Sequence, residues 1–260
     1  MASKNVVTES SKPRAIVASE EAAVQTATAR SDAWETLLAA VAERSVRATE
    51  RKQDRSKRTE QQILAAALRV FARDGVSRSR IADIAAEAGI STSTLYEYYR
   101  SKEDLAYDVP LSYLAAFFHR YRAAVVDKSS ARERILLYLS LLTDFVRENA
   151  EWARVFYLEI WPSVFVSETG LRHNVDDFAR IVVFLVKQGI EEGDWGANHS
   201  PYETAALLLG SVNQVIITWL MYRQPRNLTK AGIELAERIL LMLATETKAE
   251  TRLARAARRR

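Results

Sequence analysis

Between Ile81 and Leu95 the apolar residues fall at intervals that suit two short helices meeting at a sharp corner. Ile81, Ile84 and Ala85 recur at helical spacing, Gly89 follows four residues after Ala85, and Leu95 comes six residues beyond Gly89. A second helix crossing close over the first requires a small residue beneath it, which Ala85 supplies. Gly89 suits the left-handed backbone that ends a helix in a tight turn. Ile90 and Leu95 are expected to tuck under the pair. Ser79 and Ser91 stand before the two helical runs, where a hydroxyl can accept a backbone N–H and fix a helix start.

The segments on either side extend this corner into a module. Upstream, ILAAALRVFARDG puts Ile63, Leu64, Ala67, Leu68 and Phe71 on one helical face and stops at Gly75. Downstream, YRSKEDL offers Ser101 as the cap of a longer helix, with Lys102 in its first turn. Three helices with the last two crossing at a turn form a helix-turn-helix, the geometry that lays a helix in the major groove of DNA.

The run ILAAALRVFARDGVSRSRIADIAAEAGISTSTLYEYYRSKEDL resembles the TetR family of bacterial transcriptional regulators over about fifty residues, with four helix boundaries agreeing in order and spacing. The resemblance implies an all-α fold: a three-helix DNA-binding head over residues 57–103, followed by a larger helical body over 104–247 that binds an effector and dimerises. It also implies that the helix Thr92 to Tyr99 reads the major groove and that the start of the next helix meets phosphates.

On that reading Ser91, Thr92, Ser93 and Thr94 offer short hydroxyls, and threonine methyls, to base edges. Tyr96 and Tyr98 reach phosphate oxygens, while Arg80 and Lys102 neutralise phosphate charge, with Arg78 and Arg100 ranked behind them. Tyr99 is expected in the core. The reading helix holds no Arg, Lys, Asn or Gln, so specificity leans on hydroxyl, methyl and shape readout.

Charge is placed accordingly. The net charge is only +4, yet residues 51–102 carry 11 basic and 6 acidic side chains, residues 103–247 carry 14 and 19, and residues 248–260 carry 6 and 1. A basic head on an acidic body suits a chain that meets DNA at one end.

With 48% hydrophobic residues the 260-residue chain can bury a substantial core. The absence of cysteine excludes disulfides and thiolate metal sites. No 18-residue apolar run or signal pattern is read, so the expectation is a cytoplasmic protein with no membrane partner. No Ser-His-Asp grouping, phosphate-binding glycine loop, metal cluster or supported carboxylate pair emerges, and the chain reads as neither an enzyme nor a cofactor protein.

Residues 1–56 form an N-terminal extension: a disordered arm, then a candidate amphipathic helix near 31–50 with Trp34, Leu37, Leu38 and Val41 on one face, then a basic stretch. Beyond the head, helices are expected at 102–126 with a bend near Pro110, then 131–148, 150–161, 168–192, 202–222 and 228–247. Ser130, Asn149, Pro201 and Asn227 supply their starts. The basic tail, 248–260, reads as a solvated, disordered run.

The middle helices are rich in aromatic residues. By resemblance they enclose an apolar effector chamber, for which Tyr121, Tyr138, Phe156, Trp161 and Phe178 are the preferred walls, against the alternative of plain core. Asn213 and Gln214 are polar residues inside an apolar helix, fitted to a ligand or to a dimer contact; Glu159, His119, Arg172 and His173 rank lower. The last two long helices offer a two-fold four-helix interface, which would place two reading helices on successive major grooves of a palindromic operator.

The stretch EEGDWGANHSPYETAALLLGSVNQVIITWLMY is similar to the fatty-acid-responsive branch of the family. That similarity implies a hydrophobic effector of long-chain acyl or acyl-CoA type, with a xenobiotic as the other option. A DNA-binding protein with a packed body, controlled by a protein partner or by nothing, is the competing function.

Overall fold

A computed structural model describes the backbone of residues 54–164, 170–196 and 198–257, and the side-chain surroundings of 57–162, 179–196 and 198–244. The candidate helix near 31–50 lies outside the described residues.

The described chain is helical throughout. The head consists of α1 (Asp54–Asp74), α2 (Ile81–Glu87) and α3 (Thr92–Tyr98). The body follows with α4 (Lys102–Val125), α5 (Ala131–Glu148) and α6 (Ala150–Val155), then a π-helical turn (Phe156–Ile160) that leads into α7 (Trp161–Val164). It closes with α8 (Gly170–Glu192), α9 (Pro201–Tyr222) and α10 (Leu228–Ala257).

Helix α1 packs against α2 in the head and against α4 and α6 in the body, which explains an apolar face wider than a surface helix needs. Ile63, Ala66, Ala67, Val70 and Phe71 are all fully buried. In the body α5 lies against α10, and α9 against both α8 and α10.

Several helix starts follow from local chemistry. Ser130 and Glu133 form a reciprocal capping box on α5, Ser101 accepts from the Asp104 N–H on α4, and the Asn227 side chain accepts from the Lys230 N–H. At α9 the cap is Ser200, with Pro201 in the first turn. Asn149 stands at the N-cap position of α6 but makes no side-chain cap bond: its amide donates to the Phe145 carbonyl at the end of α5.

Three expectations are corrected. The 150–161 helix runs on to Val164 and contains a π turn, a local widening to which a 3.6-residue pattern is blind. The basic tail is not a separate disordered run, because α10 continues through Ala257; its Ala, Arg and Leu residues are strong helix formers. Finally, α9 is long and apolar enough to cross a membrane by length and composition, with 33% of its most apolar stretch buried. Its apolar residues occupy two faces: Leu208, Val212, Ile216 and Leu220 enter the core, while Leu207, Met221 and Tyr222 face outward.

Candidate nucleic-acid interface

Helix α3 is presented on a fixed platform. Ile84, Ala85 and Leu95 are buried where α2 and α3 cross, whereas Ile81 and Ile90 are only half-buried. Gly89 adopts φ +66° with open space where a Cβ would stand, so backbone conformation alone favours glycine there. The Gln62 amide donates to the Ala88 carbonyl at 2.9 Å and Arg69 pairs with Glu87 at 2.7 Å, both tying α1 to the end of α2. Neither tie is part of the local pattern that defines the corner, and each joins residues 18 or more apart in sequence.

The start of α3 is a hydroxyl cluster. Ser91 accepts from the Thr94 N–H at 3.1 Å, and its hydroxyl lies 2.8 Å from that of Ser93 and 2.9 Å from that of Thr94. Ser91, Thr92 and Ser93 are exposed and Thr94 is half-buried. The same hydroxyls that face outward therefore hold one another, which fixes their orientation before any partner arrives. Tyr96 is 53% exposed, Tyr98 half-buried, and Tyr99 buried as expected.

Ser79 does not cap α2. The cap residue is Arg80, in extended conformation and with no side-chain cap bond, while the buried Ser79 hydroxyl turns back to donate to the Val76 carbonyl at 2.8 Å. Arg80 itself is exposed. The Lys102 ammonium donates to the carbonyls of Ser77 and Ser79 at 3.1 and 3.2 Å, so it secures the α1–α2 loop to the first turn of α4. Two of its three N–H groups are engaged there.

Glu159, on the π turn of the body, receives the Val76 backbone N–H of the same loop at 2.5 Å. A charged acceptor on a backbone donor is a strong hydrogen bond, and it links body to head across 83 positions of sequence. Glu159 ranked low in the sequence because nothing local marks its partner.

In the body, most preferred wall residues meet in one continuous series of rings. Tyr121 lies edge-on to Tyr138 at 5.1 Å, Tyr138 meets Phe117 at 5.4 Å, and Phe117 meets Phe145 at 5.7 Å. Phe145 then contacts Trp152 at 5.1 Å, Trp152 stacks on Phe156 at 5.2 Å, and Phe156 meets Trp161 at 5.5 Å. The series runs from α4 through α5 and α6 to the start of α7, ending beside the turn that carries Glu159.

Within this apolar series the indole N–H of Trp152 is buried without a hydrogen-bond partner. Burial raises the Tyr157 phenol well above its usual range; its hydroxyl donates to the Asn213 side-chain oxygen at 3.4 Å, joining α9 to the π turn. Gln214 and His119 are exposed, which removes them from the interior. The side chains of Arg172, His173 and Phe178 lie outside the described residues. Among the described residues no group of three or more His, Asp or Glu side chains is placed to hold a metal.

The α2–α3 corner, with its capped, hydroxyl-rich α3 displayed outward, is a helix-turn-helix. Residues 63–109 match the family model described as bacterial regulatory proteins, tetR family, and this segment has the helix-turn-helix of that family's DNA-binding domain. It is 24% identical over 167 residues to the fatty acid metabolism regulator protein of Bacillus subtilis (strain 168), covering 64% of this chain and 86% of that one. To the HTH-type transcriptional regulator LuxR of Vibrio harveyi it is 28% identical over 165 residues, 60% of this chain and 77% of the other.

Among solved structures, FadR from Bacillus subtilis in complex with stearoyl-CoA superposes with a TM-score of 0.62 at 23% identity, covering 69% of this chain and 97% of that one. SmeT, the repressor of the Stenotrophomonas maltophilia multidrug efflux pump SmeDEF, gives 0.58 at 16% identity, over 70% and 89% of the two chains. At these identities the structural matches establish the fold.

Proposed function

We propose that this protein is a cytoplasmic, homodimeric repressor that occupies a palindromic operator and leaves it when a long-chain acyl ligand enters the aromatic body. Thr92, Ser93 and Thr94 meet base edges, with Ser91 holding their start. Tyr96, Tyr98, Arg80 and Lys102 serve the phosphates. Lys102 keeps one N–H for that purpose beyond the two that hold the loop. Dimerisation uses α9 and α10, whose outward residues Leu207, Met221, Tyr222, Leu241 and Met242 are all more than half exposed in the single chain. Two copies so joined set their reading helices about 34–36 Å apart, one turn of DNA.

The observation that carries the ligand reading is the orphaned indole N–H of Trp152. A buried donor without a partner is costly in an apolar core, and an acyl carbonyl or carboxylate inserted among the rings would satisfy it. Insertion there displaces the stacked Phe156, the first residue of the π turn that holds Glu159 against the Val76 N–H. Ligand binding then favours the conformation in which the heads no longer match the operator, and operator affinity falls by linkage. The fatty-acid regulator among the relatives agrees with this chemistry.

The close ring-on-ring packing supports a second reading, in which the body is filled by its own side chains and a protein partner, or nothing, controls binding. Fluorescence anisotropy on the protein's own upstream DNA, titrated with acyl-CoAs, free fatty acids and hydrophobic drugs, separates the two. Release by the acyl class, weakened in Trp152→Phe, is expected; specific binding indifferent to every ligand would favour the packed body.

A further inference from the structure

Outside the ring series, a half-open cleft of about 330 Å³ lies between α1 and α4, at the junction of head and body. Its charged lining groups are both acids, Glu60 from α1 and Asp108 from α4, and its apolar surface comes from Leu64, Leu111 and the ring of Tyr113. Tyr99 also lines it. That side chain is only 5% exposed, and its hydroxyl is buried with no hydrogen-bond partner.

Two carboxylates facing one cleft repel each other, and desolvation adds to the cost: burial first, then the Glu60 and Asp104 charges, holds the Asp108 carboxyl up at about 6. Burial first, then the Asp108 and Glu60 charges, raises the Tyr99 phenol far above its usual range. An orphaned hydroxyl, two uncompensated carboxylates and an aromatic face converge on one cavity at the small end of the range for small-molecule sites. What they lack in common is a cation that can donate hydrogen bonds.

We propose that this cleft binds a protonated primary amine with a short apolar arm. The ammonium would donate to Glu60, Asp108 and the Tyr99 oxygen, matching its three N–H groups, while the arm lies along Leu64 and Leu111 and the charge sits near the Tyr113 ring. Bound there, the amine bridges α1 to α4 and adds a second input at the joint through which the head is held. The assignment is independent of the acyl-ligand reading and of DNA binding.

The test is calorimetric titration of the full-length protein, without DNA, using phenethylamine and its neutral analogue 2-phenylethanol. Saturable one-site binding of the amine is expected, at least about tenfold tighter than the alcohol, because the charge-assisted bonds are made only by the ammonium. Tyr99→Phe and Glu60→Gln should each weaken the amine about tenfold and leave the alcohol unchanged. Glu60→Gln lies on a part-exposed helix surface and keeps the test valid if Tyr99→Phe disturbs the head. Equal binding of amine and alcohol, no saturable binding, or full affinity in a folded Glu60→Gln variant would overturn the assignment.

Discussion

At the start of α3, polar side chains face outward; among the ring-bearing helices of the body, comparable groups are turned inward. The Ser91, Ser93 and Thr94 hydroxyls fix one another at the surface of α3. By contrast, the Tyr157–Asn213 pair and the Trp152 indole lie within helix contacts, and Thr143, fully buried, returns its hydroxyl to the Leu139 carbonyl. The start of α3 thus displays hydrogen-bonding groups that are already oriented, whereas the Trp152 indole and the Thr143 hydroxyl are withdrawn from solvent. On the proposed function, reading DNA and sensing a ligand would place these opposite demands on polar groups.

The largest expected effect tests how tightly the body is packed. A Cβ on Gly189 would stand 1.7 Å from the buried Trp195 ring, so Gly189→Ala must move that ring or the end of α8. A loss of about 3 kcal/mol is expected, read as a drop of roughly 6–12 °C in thermal midpoint. An unchanged midpoint would mean that Trp195 has freedom that this packing denies it.

Cap deletions sharpen the comparison itself. Ser91→Ala and Ser130→Ala each remove a side-chain cap and should cost a similar amount of stability, about 1 kcal/mol. Only Ser91→Ala should also weaken specific DNA binding, since it frees Ser93 and Thr94 from their fixed orientation. Equal DNA affinity in the two variants, measured by anisotropy on operator DNA, would break the distinction between a displayed cap and a structural one.

A pH-dependent effect concerns the junction. Asp108 holds its proton up to about 6 in the fold and near 3.9 when unfolded, so between those values the folded state binds more protons. Stability contributed by this group is therefore fully present below about pH 4 and is lost as pH rises through about 6. Denaturant unfolding at several pH values should show Asp108→Asn gaining on the parent protein across that window. A constant difference would mean that the carboxyl is solvated.

The same contrast explains what could be read from the sequence. The α2–α3 corner, Gly89, and the starts at Ser91, Ser101, Ser130 and Asn227 are local features, each set by neighbours within about one helical turn. Ser79 misled because the chain stays extended through Arg80, moving the cap by one residue and leaving the serine to bond backward. The ring series was visible as composition, but its order joins four helices and follows from packing alone. Glu159 on Val76, and the cleft shared by Glu60, Tyr99 and Asp108, unite residues whose separation in sequence no periodicity can bridge. The tail reads as disordered when its charge is weighed ahead of its helix propensity, yet the helix continues through Ala257.

The most direct test of the central claim, that α3 reads DNA with short hydroxyl side chains, is selection from a random duplex library by the parent protein and by Thr94→Ala. The account predicts a two-fold symmetric motif with half-sites about one helical turn apart, and loss of preference in the variant at a few symmetric positions only. No enriched motif, or a uniform loss of affinity across all positions, would contradict it.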